Sequence, residues 1–373
     1  MQPSRLDKLA AALQTAGLDA LALNVGPSLT YLSGLHFHLT ERPVVLFVPA
    51  AGSPAIVLPE LETLKLADLP YELRAFPYPE APSEWEGVFR KALQSLGLDG
   101  KRIGVEPLSM RLMEFRHIQA GAPQADFPDA SEAVGRLRLR KDAGEVAAMK
   151  QAVRIAQDAL EAVLPQVKVG WTEQEIAAEL VVQLLRHGSQ PELAFPPIVS
   201  AGPNSANPHA VPSGRKLQNG DLLVVDWGAA VDGYISDLTR TFAVGEVDAE
   251  CRKIHEIVRE ANAAGRLAGK PGAPCAAVDR AARAVIEQAG YGQYFTHRTG
   301  HGIGMEGHEA PYMRGDNPQP LEPGMAYTVE PGIYLPGRNG VRIEDNLVVT
   351  ETGVECLSDM PREIRTVGKG RGR

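Results

Sequence analysis

An order of elements that occurs twice is the feature that most constrains the fold of this 373-residue chain. In each occurrence, two helical stretches precede a β-rich region that carries two acidic residues. The helical stretches are 142–164 and 172–187, then 248–268 and 274–289, and the acids are Asp226 with Asp237, then Glu330 with Glu344. The acids recur at a spacing of 104 residues (226 to 330) and 107 residues (237 to 344). We therefore predict two structural half-repeats, whose pseudo-two-fold arrangement would bring both acidic pairs to a common cleft.

A different pattern precedes the repeat. The chain is longer than one hydrophobic core usually holds, which predicts two domains. Apolar runs rich in strand formers (20–23, 44–48, 55–58 and 102–105) alternate with helical stretches such as 83–96 and 109–119. This alternation predicts a sheet flanked by helices. The charged segment GRLRLRK follows, so we expect an N-terminal α/β domain at 1–135 and a second domain at 136–373.

Composition excludes several functional classes. The chain has 46 acidic and 38 basic residues, a formal net charge of −8, which argues against a protein that binds nucleic acid by neutralising phosphates. No apolar run approaches the roughly 18 residues that span a bilayer, so we expect a cytoplasmic protein without membrane contact. The cysteines Cys251, Cys275 and Cys356 form no CxxC pair, so any metal site must use other ligands. His187 and His255 lie on helical patterns and are expected at the surface.

Asp226 and Asp237 lie eleven residues apart (226 to 237) across a glycine-containing turn that suits a β-hairpin. The two carboxylates could face one another on adjacent strands, although a lone aspartate at a strand end more often caps a turn. Glu330 and Glu344 lie next to apolar residues, where an unpaired carboxylate is costly to bury. The structural alternative for these two is a salt bridge with Arg342.

Three histidines lie between the first pair of acids and the second pair. The segment HRTGHGIGMEGHE holds His297, His301 and His308, and its glycines let the backbone approach a ligand closely. Taken with four carboxylates, these imidazoles indicate a metal site. Four negative charges balance two divalent cations, and oxygen-rich ligation with a single nitrogen suits Mn²⁺, Co²⁺, Fe²⁺ or Zn²⁺. The chemistry predicted is metal-assisted hydrolysis.

The segments around these residues resemble, in order, the five-ligand pattern of the M24 metallopeptidases. They are VVDWG with Asp226, ISDLT with Asp237, TGHGIG with His301, VEPGIY with Glu330 and RIED with Glu344. The resemblance covers about residues 138–360 and implies an α+β, pita-bread catalytic domain of the creatinase/aminopeptidase type. The preceding α/β domain is similar to the N-terminal domain of creatinase, prolidase and aminopeptidase P. The family pattern implies that the five residues hold two metals, that Asp237 and Glu344 bridge them, and that Glu330 assists proton transfer.

Further residues resemble the Xaa-Pro branch of that family. His209 in SANPHAVPS matches a substrate-binding, proton-shuttling histidine, and His308 matches one that contacts the substrate carbonyl. His297, Tyr334 and Arg342 complete the substrate-binding set that the resemblance implies. The structural alternatives are a turn-capping role for His209 and a packed aromatic ring for Tyr334.

The resemblance implies a dinuclear enzyme, with manganese as the expected metal and cobalt, zinc or iron as alternatives. Xaa-Pro dipeptides are the first expected substrates, and longer peptides cleaved by an aminopeptidase P are the second. A metal-free creatinase-type C–N hydrolase and a non-enzymatic binding module are weaker alternatives, because all five ligand positions are retained. A homodimer is expected, since in some prolidases a partner loop selects dipeptides. The corresponding loop 35–43 carries His36, His38 and Arg42, but Leu39 and Thr40 depart from the prolidase pattern.

Overall fold

The computed structural model describes residues 3–67 and 69–368, and the chain forms two compact units, Met1–Arg138 and Leu139–Arg373. Residue 135 lies inside a helix, Ser131–Leu139, rather than in an irregular linker. The basic C-terminal segment, which the sequence predicts to be a flexible tail, lies outside the described residues from 369 onward. Within the described ranges, no helix combines the length and apolar character that crossing a membrane requires.

The N-terminal unit is built around a mixed five-stranded sheet of order β4-β3-β2-β1-β5. Its helices are α1 (Pro3–Thr15), α2 (Pro27–Ser33), α3 (Pro82–Ser95), α4 (Leu112–Gly121) and α5 (Ser131–Leu139), and its strands are β1 (Ala20–Asn24), β2 (Val45–Pro49), β3 (Ala55–Pro59), β4 (Arg74–Tyr78) and β5 (Ile103–Val105). A 3₁₀ helix covers Glu60–Leu66. The structure confirms the predicted alternation and adds α2, α5 and β4. The sequence did not indicate β4 because it is a half-exposed edge strand interrupted by Pro77.

The C-terminal unit has two larger sheets, of order β18-β10-β7-β6 and β12-β11-β13-β16-β17, and two small hairpins, β8–β9 and β14–β15. Its helices are α6 (Ala143–Val163), α7 (Glu173–Arg186), α8 (Ala249–Ala268) and α9 (Cys275–Gln288). Its strands are β6 (Ile198–Ala201), β7 (Leu222–Trp227), β8 (Ala230–Val231), β9 (Tyr234–Ile235), β10 (Leu238–Val244), β11 (Gly300–Gly302), β12 (Glu309–Met313), β13 (Ala326–Val329), β14 (Gly332–Tyr334), β15 (Gly340–Arg342), β16 (Asp345–Val349), β17 (Val354–Cys356) and β18 (Arg365–Val367).

The predicted order of elements is present in both halves of this unit. The helix pair α6 and α7 precedes the antiparallel strands β6, β7 and β10, and the pair α8 and α9 precedes the antiparallel strands β11, β13 and β16. Thr172 and Glu175, whose spacing in the sequence predicts a capping box, form one at the start of α7, with Glu175 N–H donating to Thr172 Oγ1 at 3.1 Å. The hairpin expected between the two aspartates is also present, with Asp232 and Gly233 at positive φ in its turn.

Each half has its own apolar core. In the first half Leu160 and Leu180 from the helices pack with Trp227 of β7, and in the second half Ile254 and Ile286 pack with Ile343. Burying a large apolar side chain contributes about 1.5–3 kcal/mol, so these clusters hold the strand ends in place.

One helical prediction is wrong. His187 is exposed, as expected, but His255 is only 2% exposed. It lies on the same face of α8 as Ile254 and Val258, and burial lowers the pKa of His255 to about 4. The sequence pattern predicted a single buried stripe along α8, whereas a wider part of the helix surface is buried.

The two halves meet at an antiparallel bridge between Thr239 and Glu344. Glu344 N–H donates to the carbonyl oxygen of Thr239 at 3.0 Å, and Thr241 Oγ1 donates to the carbonyl oxygen of Arg342 at 2.9 Å. This junction places the start of β10 beside the start of β16, which is where the second acid of each half lies.

Candidate active site

A cavity of about 950 Å³ in the C-terminal unit collects nearly all of the residues singled out in the sequence. Those that line it are His209, Asp226, Asp237, His297, His301, His308, Glu330, Arg342 and Glu344. Tyr334 is not part of the lining, but its hydroxyl contacts two residues that are. The two half-repeats thus bring both acidic pairs to one cleft.

Strand ends position the four carboxylates. Asp226 lies near the end of β7 opposite Thr239, and Glu330 directly follows β13, the equivalent strand. Asp237 directly precedes β10, and Glu344 directly precedes β16. Because the strands are equivalent in the two halves, equivalent acids point to the same place.

Asn346 holds the backbone of Asp237 in this arrangement. Its amide oxygen accepts from Asp237 N–H at 2.9 Å, and its amide nitrogen donates to the carbonyl oxygen of Asp237 at 2.6 Å. Asn346 is fully buried two residues after Glu344. These hydrogen bonds therefore connect Asp237, the second acid of the first half, to β16, the strand that follows Glu344.

His301 is held in the middle of β11 between two glycines. A Cβ at Gly300 would lie 1.9 Å from the carbonyl oxygen of Thr328, and one at Gly302 would lie 2.1 Å from the carbonyl oxygen of Ala310. Neither position has room for a side chain, which accounts for the GHG sequence. His301 Nδ1 lies 3.1 Å from the carbonyl oxygen of Gly302, to which it donates, so the neutral ring has its lone pair on Nε2.

That lone pair points into the acidic cluster. His301 Nε2 lies 3.4 Å from Glu330 Oε1 and 3.6 Å from Asp237 Oδ2. One donor atom each from Asp237, His301 and Glu344 lies within 4.8 Å of the others, a spacing that suits a shared metal ion. Burial lowers the pKa of His301 to about 3, so its imidazole is neutral and available as a ligand.

Burial and mutual repulsion disfavour the ionised form of the clustered carboxylates. Burial, together with the charge of Asp226, raises the pKa of Glu330 to about 7. Burial and neighbouring carboxylates raise the pKa values of Asp237 and Glu344 well above their usual range. Asp226 Oδ1 and Glu344 Oε1 are buried and have no hydrogen-bond partner among the described residues. Divalent cations would supply both the missing partners and the missing positive charge, so the residues present fit a metal centre.

Arg342 pairs with a different acid from the one that the sequence suggested. Its Nη2 donates to Asp226 Oδ2 at 2.6 Å, whereas the structural alternative considered from the sequence was a salt bridge to Glu330 or Glu344. Its Nε donates to Thr239 Oγ1 at 3.1 Å, and that hydroxyl donates to Glu344 Oε2 at 2.7 Å. The guanidinium thus orients one acid directly and another through a hydroxyl.

A second hydrogen-bonded chain begins at His297. Its Nδ1 donates to the carbonyl oxygen of Arg298 at 2.7 Å, so Nε2 accepts from the Tyr334 hydroxyl at 2.9 Å. Arg342 Nη1 in turn donates to that hydroxyl oxygen at 3.1 Å. Burial lowers the pKa of His297 to about 4 and raises that of Tyr334 to about 12, so both groups are neutral at pH 7. Tyr334 is therefore a polar link between two cavity residues as well as a packed ring.

His308 and His209 lie on exposed loops at the cavity. The ring of His308 is centred 4.1 Å from that of His301, and burial together with the nearby Arg298 lowers its pKa. His209 follows the 3₁₀ helix Gly202–Ala206, and its N–H donates to Asn207 Oδ1 at 3.2 Å. The capping side chain of this turn is thus Asn207, which leaves the imidazole of His209 facing the cavity.

The sequence missed several residues of the site. Thr239 and Asn346 orient the acids, and the apolar residues Phe195, Pro196 and Ile198 also line the cavity. The proline-rich segment FPPIVS, which runs into β6, is the one signal that could have indicated this apolar lining. Nothing in the local sequence distinguishes Thr239 or Asn346 from ordinary strand residues.

Comparisons with known proteins agree with this geometry. Residues 147–351 match the profile of metallopeptidase family M24, and residues 5–140 match the creatinase/prolidase N-terminal domain. The chain is 33% identical to an Xaa-Pro dipeptidase of Lactobacillus delbrueckii subsp. lactis, over 97% of this chain and 98% of the relative.

Two solved structures are similar over nearly their whole length. A prolidase from Thermococcus sibiricus superposes with a TM-score of 0.93 at 33% identity, covering 98% of this chain and 100% of that one. An X-Pro aminopeptidase from Thermotoga maritima superposes with a TM-score of 0.85 at 32% identity, covering 97% and 99%.

Proposed function

Because the chain belongs to metallopeptidase family M24, we propose that it hydrolyses the peptide bond before proline and that Xaa-Pro dipeptides are its preferred substrates. The observation that carries this proposal is the cavity in which four carboxylates and the neutral imidazole of His301 converge. Proline makes this bond a tertiary amide without an N–H, so recognition falls to groups that contact the carbonyl and the peptide ends. The cavity has three further histidines and Arg342 for that purpose.

Five residues would hold two divalent cations: Asp226, Asp237, His301, Glu330 and Glu344. Asp237 and Glu344, the second acid of each half, would both be ligands, and the Thr239–Glu344 bridge between the halves lies beside them. When bound, the cations polarise the scissile carbonyl and activate a water molecule as the nucleophile. Manganese is the metal that we propose, because oxygen-rich ligation with a single imidazole suits it.

The chain's own residues orient the substrate and move protons. Glu330, whose Oε1 lies 3.4 Å from His301 Nε2 at the acidic cluster, is assigned to accept a proton from the nucleophile and return it to the leaving nitrogen. His308 lies beside His301 and is placed to contact the scissile carbonyl as negative charge develops on its oxygen. His209, an exposed residue that lines the cavity, is assigned to substrate binding and proton shuttling.

The remaining polar residues shape the site. His297, Tyr334 and Arg342 form one hydrogen-bonded chain that ends on Asp226. We assign these three to substrate binding, with Arg342 also orienting Asp226. In this scheme residues 136–373 form the catalytic domain, and residues 1–135 form a separate domain that contributes to substrate selection in a cytoplasmic homodimer.

Aminopeptidase P activity on longer Xaa-Pro peptides is the second candidate. The similarity to the X-Pro aminopeptidase of Thermotoga maritima supports it, as does the departure of the 35–43 loop from the prolidase pattern. The Lactobacillus and Thermococcus relatives, an Xaa-Pro dipeptidase and a prolidase, favour the dipeptide.

One assay separates these activities. Metal-stripped protein is reconstituted with Mn²⁺, and initial rates are measured on Ala-Pro, Ala-Pro-Ala and Ala-Ala. We expect Ala-Pro to give the highest kcat/KM and Ala-Ala to be cleaved at least about 10²-fold more slowly. A higher kcat/KM on Ala-Pro-Ala would favour aminopeptidase P, and no proline-dependent hydrolysis would reject both.

A further inference from the structure

Asn262 lies on α8, behind the strands that carry the second half's acids, and it is fully buried. Its Nδ2 donates to the carbonyl oxygen of Val329 at 3.0 Å and to the carbonyl oxygen of Ile343 at 3.3 Å. Val329 immediately precedes Glu330, and Ile343 immediately precedes Glu344. One amide group therefore contacts the backbone next to two of the cavity's carboxylates, although it does not line the cavity itself.

The neighbouring arginine fixes which way this amide faces. Arg266, one turn further along α8, donates from Nε to Asn262 Oδ1 at 2.8 Å. Because a guanidinium has no acceptor, the oxygen of Asn262 must face Arg266 and the nitrogen must face the two carbonyls. Arg266 Nε also lies 3.7 Å from Asp345 Oδ2, which holds it in place.

The same two peptide groups are held from their other side. Glu330 N–H donates to the carbonyl oxygen of Thr299 at 2.7 Å, and Glu344 N–H donates to the carbonyl oxygen of Thr239 at 3.0 Å. Each peptide group that leads into an acidic residue is thus bonded at its N–H by a neighbouring strand and at its C=O by Asn262. Without Asn262, each of these peptide groups would lose this side-chain bond at its carbonyl.

We propose that Asn262 is a positioning residue that sets the separation of Glu330 and Glu344 and thereby the affinity of the site for divalent cations. The proposal rests on the metal-binding role proposed above for these two acids. It assigns Asn262 no contact with substrate. Groups that orient metal ligands from outside the coordination sphere typically change metal affinity by about 10–100-fold when they are removed.

The test compares Asn262→Leu and Asn262→Ala with a matched control, Asn24→Leu. Asn24 is 4% exposed in the N-terminal unit, donates to the carbonyl oxygen of Ser109 at 3.0 Å and accepts from Val25 N–H at 2.8 Å. The control therefore removes a buried amide that makes bonds of the same kind. The leucine variant keeps most of the side-chain volume, and the alanine variant decides the question if the leucine variant does not fold.

Mn²⁺ is titrated calorimetrically into each metal-stripped protein at 25 °C, and thermal unfolding of the metal-stripped proteins is recorded in parallel. We expect the Kd for Mn²⁺ to rise about 10-fold or more in both Asn262 variants and to stay within about two-fold of the parent in Asn24→Leu. Lower thermal stability with an unchanged Kd in the Asn262 variants would reduce the residue to a packing role and overturn this inference alone. Absence of Mn²⁺ binding by the parent protein would instead reject the proposed function, and the inference with it.

Discussion

The two halves of the C-terminal unit build the same framework with different side chains. In the first half Asp226 lies in β7 and Asp237 directly precedes β10. In the second half Glu330 directly follows β13 and Glu344 directly precedes β16. The helices differ at matching positions as well. Asn262 on α8 donates to the strands behind the glutamates, whereas Ala156, 106 residues earlier (156 to 262), accepts at its carbonyl from Trp227 Nε1 at 2.7 Å.

The direction of these helix-to-strand hydrogen bonds is therefore reversed between the halves. The histidines that line the cavity are also distributed unevenly. The second half has His297, His301 and His308, and the first half has His209. A repeated backbone thus guarantees only that the strand ends converge. Side-chain length and the polar groups behind the strands decide what each half contributes.

The largest effect is expected from removing the metal, to which both halves are proposed to contribute ligands. Chelation of the metal should abolish peptidase activity, because the hydroxide nucleophile is available at neutral pH only if a metal lowers the pKa of bound water. Adding Mn²⁺ or Co²⁺ should restore activity on Ala-Pro, as measured by proline release. Full activity in protein shown to be metal-free by elemental analysis would remove the metal from the mechanism.

Changing the equivalent acids one at a time tests whether the halves contribute equally. Asp237→Asn and Glu344→Gln should each cost at least one bound metal and lower kcat/KM by about 10³ or more, because an amide bridges two cations poorly. Metal content is measured by elemental analysis and rates on Ala-Pro. Two metals per chain in both variants would show that these residues are not ligands.

Two histidines outside the proposed ligand set, one from each half, provide a sharper comparison. His209→Ala and His308→Ala should each lower kcat by about 10² while metal content stays near that of the parent. His187→Ala, at the exposed end of α7, is the control and should leave both quantities unchanged. Loss of metal from either cavity variant would reassign that histidine as a ligand.

The pH dependence of the metal-free protein reports on the clustered carboxylates. Burial raises the pKa of Glu330 to about 7 and raises those of Asp237 and Glu344, so the folded state binds more protons than the unfolded state. Stability from these groups is present at low pH and is lost as pH rises through about 7. Glu344→Gln should raise the Tm of the metal-free protein at pH 8 by about 2–4 °C, and less at pH 5.

Scanning calorimetry at both pH values, with and without Mn²⁺, checks this expectation. The metal should remove the advantage of the glutamine variant, because bound cations favour the ionised acids. An equal effect of Glu344→Gln at both pH values would mean that these carboxylates do not titrate differently in the folded state.

The smallest expected effect concerns the N-terminal unit. The loop 35–43 is anchored within that unit, where Lys65 Nζ donates to the carbonyl oxygen of His36 at 2.9 Å and Arg111 Nη1 donates to that of Thr40 at 2.5 Å. His36 and His38 are exposed. Replacing both with alanine should raise KM for Ala-Pro several-fold and affect Ala-Pro-Ala less. Equal changes on both substrates would leave length selection to the C-terminal unit.

Local sequence was enough to predict the order of the elements, the family and most of the polar residues that line the cavity. Hydrophobic periodicity depends on local spacing, so it predicted the repeated helices and strands, and the structure confirms that order. The acids were recognisable because they follow or precede apolar strands. The predicted fold class and metallopeptidase family are confirmed by the profile matches and by the solved relatives.

The hydrogen-bond and ion-pair partners of the polar groups could be identified only in the folded chain. Arg342 pairs with Asp226, 116 residues away (226 to 342), rather than with its neighbour Glu344, and Asn346 bonds to the backbone of Asp237. The sequence pattern also did not predict the burial of His255 or the hydrogen bonds that Asn262 donates to two backbone carbonyl groups. Periodicity shows which face of an element is buried. The partner of a buried polar group depends on which elements pack against that face, and this is settled only when distant segments meet.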